Sequence, residues 1–130
     1  MAEFDPIGVV HSPLKERTAA PSHGVKGDVS GRIEVDPEYE TGLQGLEVGH
    51  RIDVVWHAVA ASRDLLELDK VPGRGVFNSR SPDRPNPIAI TPCTITDIDG
   101  TTLYVEGLDM IDGTPVLDIK APLSRDLRKT

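Results

Sequence analysis

Two arginines set among three prolines form the most unusual stretch of the sequence. Residues 74–91 read RGVFNSRSPDRPNPIAIT, and Arg80 and Arg84 stand beside those prolines. Proline fixes its own φ and restricts the residue before it, so the run is predicted to be stiff and extended. Such a run can present side chains and backbone carbonyls to a ligand at little cost in ordering entropy. The alternative is a rigid surface loop whose arginines pair with nearby acids.

Two shorter segments also combine polar groups with turn-forming residues. Asp112-Gly113-Thr114-Pro115 brings a carboxylate to a predicted turn, because Asp and Gly favour turns and a residue before Pro is pushed to extended geometry. An ordinary hairpin turn is the simpler interpretation. Residues 10–15 (VHSPLK) form a polar exit from a predicted strand, where Ser12 and the carbonyls before Pro13 could hold a polar ligand. A plain loop explains this segment equally well.

The histidines and the single cysteine indicate no metal site. His50 and His57 border or occupy an apolar segment, where a histidine is more often a satisfied core residue than a ligand. Cys93 lies in a predicted strand, which favours packing over nucleophilic chemistry, and one cysteine excludes an internal disulfide. There is no HExxH motif and no Walker A motif. Gly73-Arg74-Gly75 lacks the third glycine of a dinucleotide-binding fingerprint, so a Rossmann site is not predicted.

Short strands must position these segments. Alternating or continuous apolar runs predict strands at residues 7–10, 31–35, 51–60, 88–98, 102–108 and 116–119. Asp99-Gly100 predicts a type I′ hairpin turn. Asp36-Pro37 predicts the start of one helix with Tyr39, Leu43 and Leu46 on one face. The predicted fold class is all-β, a sandwich or small β-barrel with short helical segments, in a single domain over residues 1–130.

Composition limits the partners. The net charge of −7 argues against non-specific nucleic-acid binding, although a local basic patch remains compatible with RNA. Basic residues cluster in two stretches, Lys70, Arg74, Arg80 and Arg84, and then Lys120, Arg125, Arg128 and Lys129. No apolar run approaches the roughly 20 residues that span a bilayer, and the first residues (MAEFD) do not resemble a secretory signal. We therefore expect a cytoplasmic protein with no membrane partner.

Three strings of the sequence resemble the TsaA-like (TrmO-type) family of S-adenosylmethionine-dependent tRNA methyltransferases. They are IGVVHSP at residues 7–13, GVFNSRSPDRPNPI at 75–88 and DGTPVLDIK at 112–120, in the family's order and with similar spacing. The resemblance covers nearly the whole chain. It implies a small TsaA-like (YaeB-like) β-barrel that binds S-adenosyl-L-methionine without a Rossmann fold and forms a homodimer. The implied reaction is N6-methylation of threonylcarbamoyladenosine next to the tRNA anticodon.

The resemblance also implies site residues. Its cofactor contacts fall on Ser12, Pro13, Leu14, Gly49, His50, Arg80, Ile90, Asp112, Gly113, Thr114 and Pro115. Arg84 and Asn86 would shape the same pocket or its substrate side, and Arg84 or Lys120 would pair with the acceptor's threonyl carboxylate. The acceptor nitrogen needs a base within hydrogen-bond reach, and His50 and Asp112 are the candidates.

Departures from the family pattern leave alternatives for the identity of the methyl acceptor. Leu14 stands where the family has a bulky aromatic, and Lys120-Ala121-Pro122 replaces the usual Lys-Pro-Tyr. The C-terminal extension of longer tRNA-modifying members is not present in this sequence. The alternatives are a methyltransferase of the same fold that acts on a small molecule or another RNA, and a non-catalytic S-adenosylmethionine sensor.

Overall fold

Six antiparallel strands close into a barrel in the computed structural model, which describes residues 2–15 and 29–123. The order around the barrel is β1-β2-β5-β4-β3-β6, and β6 pairs back with β1. The strands are β1 (Gly8–His11), β2 (Ser30–Val35), β3 (Arg51–His57), β4 (Ile88–Asp99), β5 (Thr102–Glu106) and β6 (Pro115–Lys120). The predicted all-β barrel is confirmed, and every predicted strand is present within three residues of its predicted ends.

Period-two alternation places the core inside the barrel. Every second residue of a strand faces the same side, so β3 turns Ile52 and Val54 inward and β5 turns Leu103 and Val105 inward. These side chains pack with others from all six strands. Cys93 on β4 belongs to this cluster, and burial raises the pKa of its thiol to about 12. The prediction that Cys93 packs rather than reacts agrees with this environment.

The helical segments are short and 3₁₀ in character. The predicted helix is a 3₁₀ helix over Pro37–Leu43, and Tyr39, Leu43 and Leu46 pack against the core as expected. Asp36 occupies the N-cap position but forms no side-chain cap, so proline supplies the start of the helix. A second 3₁₀ turn, Val76–Asn78, was not predicted. No helix in the described ranges is long and apolar enough to cross a membrane.

The turn between β4 and β5 corrects one prediction. Asp99 pairs with Thr102, so Gly100 and Thr101 are the central residues of the hairpin. A type I′ turn needs positive φ at both central residues. Gly100 has φ 62°, but Thr101 does not have positive φ. The type I′ prediction is wrong, because only glycine adopts the left-handed conformation here at no steric cost.

Three described segments meet at one end of the barrel, which we call the upper end. Because neighbouring strands are antiparallel, β1, β3 and β5 end there and β2, β4 and β6 begin there. Residues 12–15, 58–87 and 107–114 therefore lie at this end. The loop 107–114 is hydrogen-bonded to Val29 at one side and to Leu14 and Val10 at the other. Its Leu108 and Met110 are buried in the core, so the loop crosses and closes the upper end.

Candidate functional site

The exit of β1 and the entry of β6 are fastened together by hydrogen bonds. The Ser12 amide donates to Asp112 Oδ1 at 3.0 Å, and the Asp112 amide donates to the Leu14 carbonyl at 2.7 Å. The Gly113 amide donates to the Val10 carbonyl at 2.8 Å. We call residues 12–14 and 112–114 the clip. Two segments that are 100 residues apart in sequence thus form one rigid unit.

The clip is also braced from within. Ser12 Oγ accepts the Leu14 amide at 3.0 Å, and Thr114 Oγ1 donates to the Ile111 carbonyl at 2.6 Å. Both hydroxyl-bearing residues are buried. Gly113 has φ 86°, a conformation that disfavours residues with a Cβ, and this explains the glycine in the motif. The clip therefore holds its backbone without help from a ligand.

The Asp112 carboxylate is ionised and partly open. Its pKa is lowered first by the Ser12 amide, then by the hydrogen bond from Lys15 Nζ at 3.2 Å and by the nearby His11. The side chain is 36% exposed, so a ligand can reach it. A carboxylate with a lowered pKa is a poor proton acceptor but a good fixed negative charge. This favours Asp112 as a partner for a cation rather than as a general base.

Arg84 holds together the proline-rich part of residues 58–87. Its Nη2 donates to the Val76 carbonyl at 2.5 Å, and its Nη1 donates to the Ser81 carbonyl at 3.0 Å. Both Nη atoms also lie 3.3 Å from the Ser79 carbonyl. A guanidinium presents several donors in a rigid fork, which suits this bundle of carbonyls. The geometry favours a scaffold role for Arg84 over the predicted pairing with the acceptor carboxylate.

Other polar groups near Arg84 also form hydrogen bonds within residues 58–87. Arg63 Nε donates to the Pro85 carbonyl at 2.8 Å and Arg63 Nη2 to Asn86 Oδ1 at 3.1 Å. The predicted substrate contact of Asn86 would have to share this amide oxygen. Arg80 instead is exposed and makes no side-chain hydrogen bond or ion pair with the described part of the chain. Of the two arginines in the motif, Arg80 is therefore the one available to a ligand.

The replacement Arg84→Lys should weaken the hydrogen bonds by which Arg84 holds the proline-rich part of residues 58–87. A lysine ammonium cannot span three carbonyls, and a hydrogen bond to a charged group contributes about 1.5–3 kcal/mol. We expect a lower melting temperature and faster limited proteolysis within residues 58–87. Arg80→Lys is the matched control and should leave both unchanged. Equal melting temperatures for the two variants would contradict the scaffold role.

Comparison with known proteins identifies the family of the chain. The profile of the tRNA-methyltransferase O N-terminal domain matches residues 9–125, which include the clip and the proline-rich run. The chain belongs to this family. The resemblance seen in the sequence is thereby confirmed.

Individual relatives of the family extend the comparison. An S-adenosyl-L-methionine-binding protein of Archaeoglobus fulgidus is 42% identical over 118 residues, covering 88% of this chain and 85% of the relative. A crystal structure of TrmO from P. aeruginosa superposes with a TM-score of 0.78 at 28% identity over the whole chain, which spans 61% of that TrmO chain. A mouse tRNA (adenine(37)-N6)-methyltransferase is 56% identical over 46 residues, 35% of this chain and 11% of the mouse protein.

His50 is buried at the start of β3, away from the contacts of the clip. Strand alternation turns its ring inward with Ile52, and the residue is 6% exposed. The Glu47 amide donates to His50 Nδ1 at 3.2 Å, and the preceding Gly49 donates to the Ile95 carbonyl. A neutral ring whose Nδ1 accepts carries its proton on Nε2 and has no free basic nitrogen. The geometry thus favours His50 as a hydrogen-bond donor over the predicted base.

Lys120 and Ile90 also lie outside the clip. Lys120 ends β6 and pairs with Asp118 Oδ2 at 3.1 Å, and it lies five residue steps along the strand from Pro115, about 17 Å. An acceptor bound beside Asp112 would therefore not bring its threonyl carboxylate to Lys120 of the same chain. Ile90 faces outward from β4 and is 46% exposed. Its predicted cofactor contact would therefore lie on the outer surface of the barrel.

Sequence reasoning missed a polar relay at the upper end. Trp56 Nε1 donates to Thr91 Oγ1 at 2.9 Å, and Thr91 Oγ1 donates to Asp109 Oδ1 at 2.6 Å. The available signal was a threonine at a core-facing position of an apolar strand, because a buried hydroxyl needs a partner. No cluster of three or more His, Cys, Asp or Glu side chains that could hold a metal is present within residues 2–15 and 29–123.

Proposed function

We propose that the chain is an S-adenosyl-L-methionine-dependent methyltransferase whose cofactor site is built on the clip. The single observation that carries the proposal is the ionised, accessible Asp112 carboxylate, which accepts the Ser12 amide while the Asp112 amide donates to the Leu14 carbonyl. The family match and the relatives named as S-adenosyl-L-methionine-binding proteins support it. The homodimer stays a prediction that rests on the family resemblance, and the cytoplasmic location stays a prediction that rests on the sequence composition.

The chemistry of the clip fits a cationic nucleoside cofactor. When bound, S-adenosylmethionine supplies a methyl group on a positively charged sulfur. Asp112 and the nearby carbonyls would attract positive charge, and Lys15 would leave the carboxylate only partly neutralised. Pro13, Leu14, Gly113, Thr114 and Pro115 would complete the wall of the site, and Arg80 and Ile90 are further contacts proposed from the family resemblance. Gly49 and His50, which the resemblance also implies, lie at the opposite end of β3 and would not share this site within one chain.

The proposed acceptor is N6 of threonylcarbamoyladenosine beside the tRNA anticodon. The match to the mouse tRNA (adenine(37)-N6)-methyltransferase supports this assignment through a short segment. The exposed Arg80 at the upper end offers a positive charge to RNA. Two other candidates have support of their own. The net charge of −7 favours a small molecule or another RNA as acceptor, and relatives named only for cofactor binding favour a non-catalytic sensor.

Cofactor binding and turnover separate these candidates. S-adenosylmethionine should raise the melting temperature by linkage, and adenosine triphosphate should do so much less. Incubation with tRNA that carries threonylcarbamoyladenosine should release S-adenosylhomocysteine and give the methylated nucleoside by mass spectrometry. The same tRNA without the modification is the control. Cofactor binding without S-adenosylhomocysteine from either tRNA would exclude this acceptor and leave the sensor and the methyltransferase of another acceptor, and an unchanged melting curve would refute the proposal.

A further inference from the structure

The relay at the upper end fixes one oxygen of a carboxylate and leaves the other free. An indole N–H can only donate, so Thr91 accepts from Trp56 and its own proton points to Asp109 Oδ1. Thr91 is 3% exposed, and Trp56 and Asp109 are half-buried. No buried side-chain oxygen or nitrogen of the described residues lacks a partner, so Asp109 Oδ2, which has no protein donor there, faces solvent.

Asp109 also lies beside the clip. It belongs to the loop 107–114, three residues before Asp112, and three residues of chain span at most about 11 Å. Leu108 and Met110 on either side of it are buried, so both neighbours fix the backbone at this position. Burial raises the pKa of Cys93, and the negative charge of Asp109 adds to that rise. A rigidly held carboxylate thus borders the proposed cofactor site.

The other two candidates for a base are less suited to accept a proton. Asp112 receives the Ser12 amide and Lys15 Nζ, which lower its pKa. His50 has its Nδ1 occupied by the Glu47 amide. Asp109 has one oxygen held by a neutral hydroxyl and no cation within ion-pair distance in the described part of the chain. Of the two carboxylates, Asp109 therefore carries the less compensated charge.

We propose that Asp109 is the general base of the methyl transfer, and that Thr91 and Trp56 are its positioning residues. This inference rests on the proposed function. The acceptor nitrogen forms a bond to the methyl carbon as the carbon–sulfur bond breaks, and the electron pair of the broken bond stays on the sulfur. The proton of the acceptor nitrogen passes to Asp109 Oδ2. A carbamoylated nitrogen is a weak nucleophile, so a carboxylate fixed within hydrogen-bond reach speeds the attack.

The test uses Asp109→Asn in the full chain. An asparagine oxygen can still accept the Thr91 hydroxyl, so the relay should persist while the base is lost. Trp56 is the only tryptophan, and its fluorescence therefore reports the relay directly. We expect kcat on modified tRNA to fall about 100-fold or more, with the thermal shift by S-adenosylmethionine and the Trp56 emission unchanged. Asp109→Glu should recover part of the activity.

Two further variants separate chemistry from structure. Thr91→Val removes the hydroxyl, so we expect altered Trp56 emission, a smaller loss of kcat and a shifted pH profile. Asp53→Asn is the matched control, because Asp53 is also half-buried and also raises the pKa of Cys93. It should keep wild-type kcat.

The outcomes distinguish this inference from the proposed function. Wild-type kcat in Asp109→Asn would overturn the base assignment and leave the methyltransferase standing. A loss of kcat together with altered Trp56 emission in Asp109→Asn would show a structural role and also overturn it. Absence of methyl transfer by the wild-type protein would overturn both proposals.

Discussion

Asp112→Asn should fold like the wild-type protein but bind S-adenosylmethionine at least about tenfold more weakly. The asparagine oxygen can still accept the Ser12 amide, and Asn tolerates the turn that Asp occupies. The variant therefore keeps the clip and loses only the negative charge. Isothermal titration calorimetry with S-adenosylmethionine measures the loss, and the melting temperature without ligand checks the fold.

Asp118→Asn is a matched control on β6, the strand that follows the loop of Asp112. Asp118 also pairs with a lysine, Lys120, and also accepts a backbone amide, that of Ile119. It lies toward the far end of β6 from the clip. Its replacement removes an equivalent charge without touching the proposed site, so affinity for the cofactor should not change. Equal affinities in both variants would show that Asp112 is an ordinary turn residue.

The lowered pKa of Asp112 fixes the pH range in which its charge acts. The folded protein binds this proton more weakly than the unfolded chain, whose carboxyl has the ordinary pKa of 3.8. The stabilisation by Asp112 is therefore complete above that value and is lost as the pH falls below it. Between pH 5 and pH 9 the carboxylate does not titrate. Any pH dependence of cofactor binding in that range must come from another group.

The fold was predictable because its signals are local. Alternation in β2 and β5 and the apolar run of β3 mark strands within a few residues, and Asp36-Pro37 marks the start of a helical turn. The sign of φ at Thr101 was not predictable, because Asp99-Gly100 and Gly100-Thr101 compete for the centre of the hairpin. The shift of one residue in the pairing decides between the two turns.

The site was only partly predictable because its roles depend on contacts distant in sequence. The motifs correctly grouped Ser12 with Asp112, although the residues lie 100 positions apart. The direction of the Arg84 guanidinium and the proton position on His50 depend on carbonyls and amides that become neighbours only in the fold. The link from Thr91 to Asp109 has no sequence motif. Motifs thus predicted a candidate site, whereas hydrogen-bond geometry was needed to propose the role of each residue in it.

Gly31→Ala should damage stability and cofactor binding together. An added Cβ at Gly31 would lie well inside van der Waals contact of the His11 carbonyl oxygen and 2.6 Å from Leu108 Cδ1. His11 leads into the clip, and Leu108 anchors the loop that carries Asp109 and Asp112. Because the nearest obstacle is backbone, the end of β1 must move. Overpacking of this kind costs about 1–3 kcal/mol.

Alanine substitutions at two other glycines show whether a loss of affinity comes from backbone strain in general or from strain next to the clip. At Gly42 an added Cβ meets nothing within 4 Å and φ is not positive, so Gly42→Ala should be tolerated or stabilise by about 0.4–1 kcal/mol. At Gly8 an added Cβ would meet the Glu34 carbonyl at the opposite end of β1. Gly8→Ala should therefore lower the free energy of unfolding without lowering the affinity of the folded protein for S-adenosylmethionine.

The decisive comparison is the affinity of each variant for S-adenosylmethionine under conditions in which the same fraction of each protein is folded. Urea denaturation gives the free energy of unfolding of the three alanine variants, and calorimetry below the unfolding transition gives their dissociation constants. Only Gly31→Ala should show a weaker dissociation constant, because only there does the strain fall on the backbone that holds Asp112 in place. If Gly8→Ala and Gly31→Ala lost affinity equally, the effect would follow global stability, and the close approach of β2 to the clip would have no part in the site.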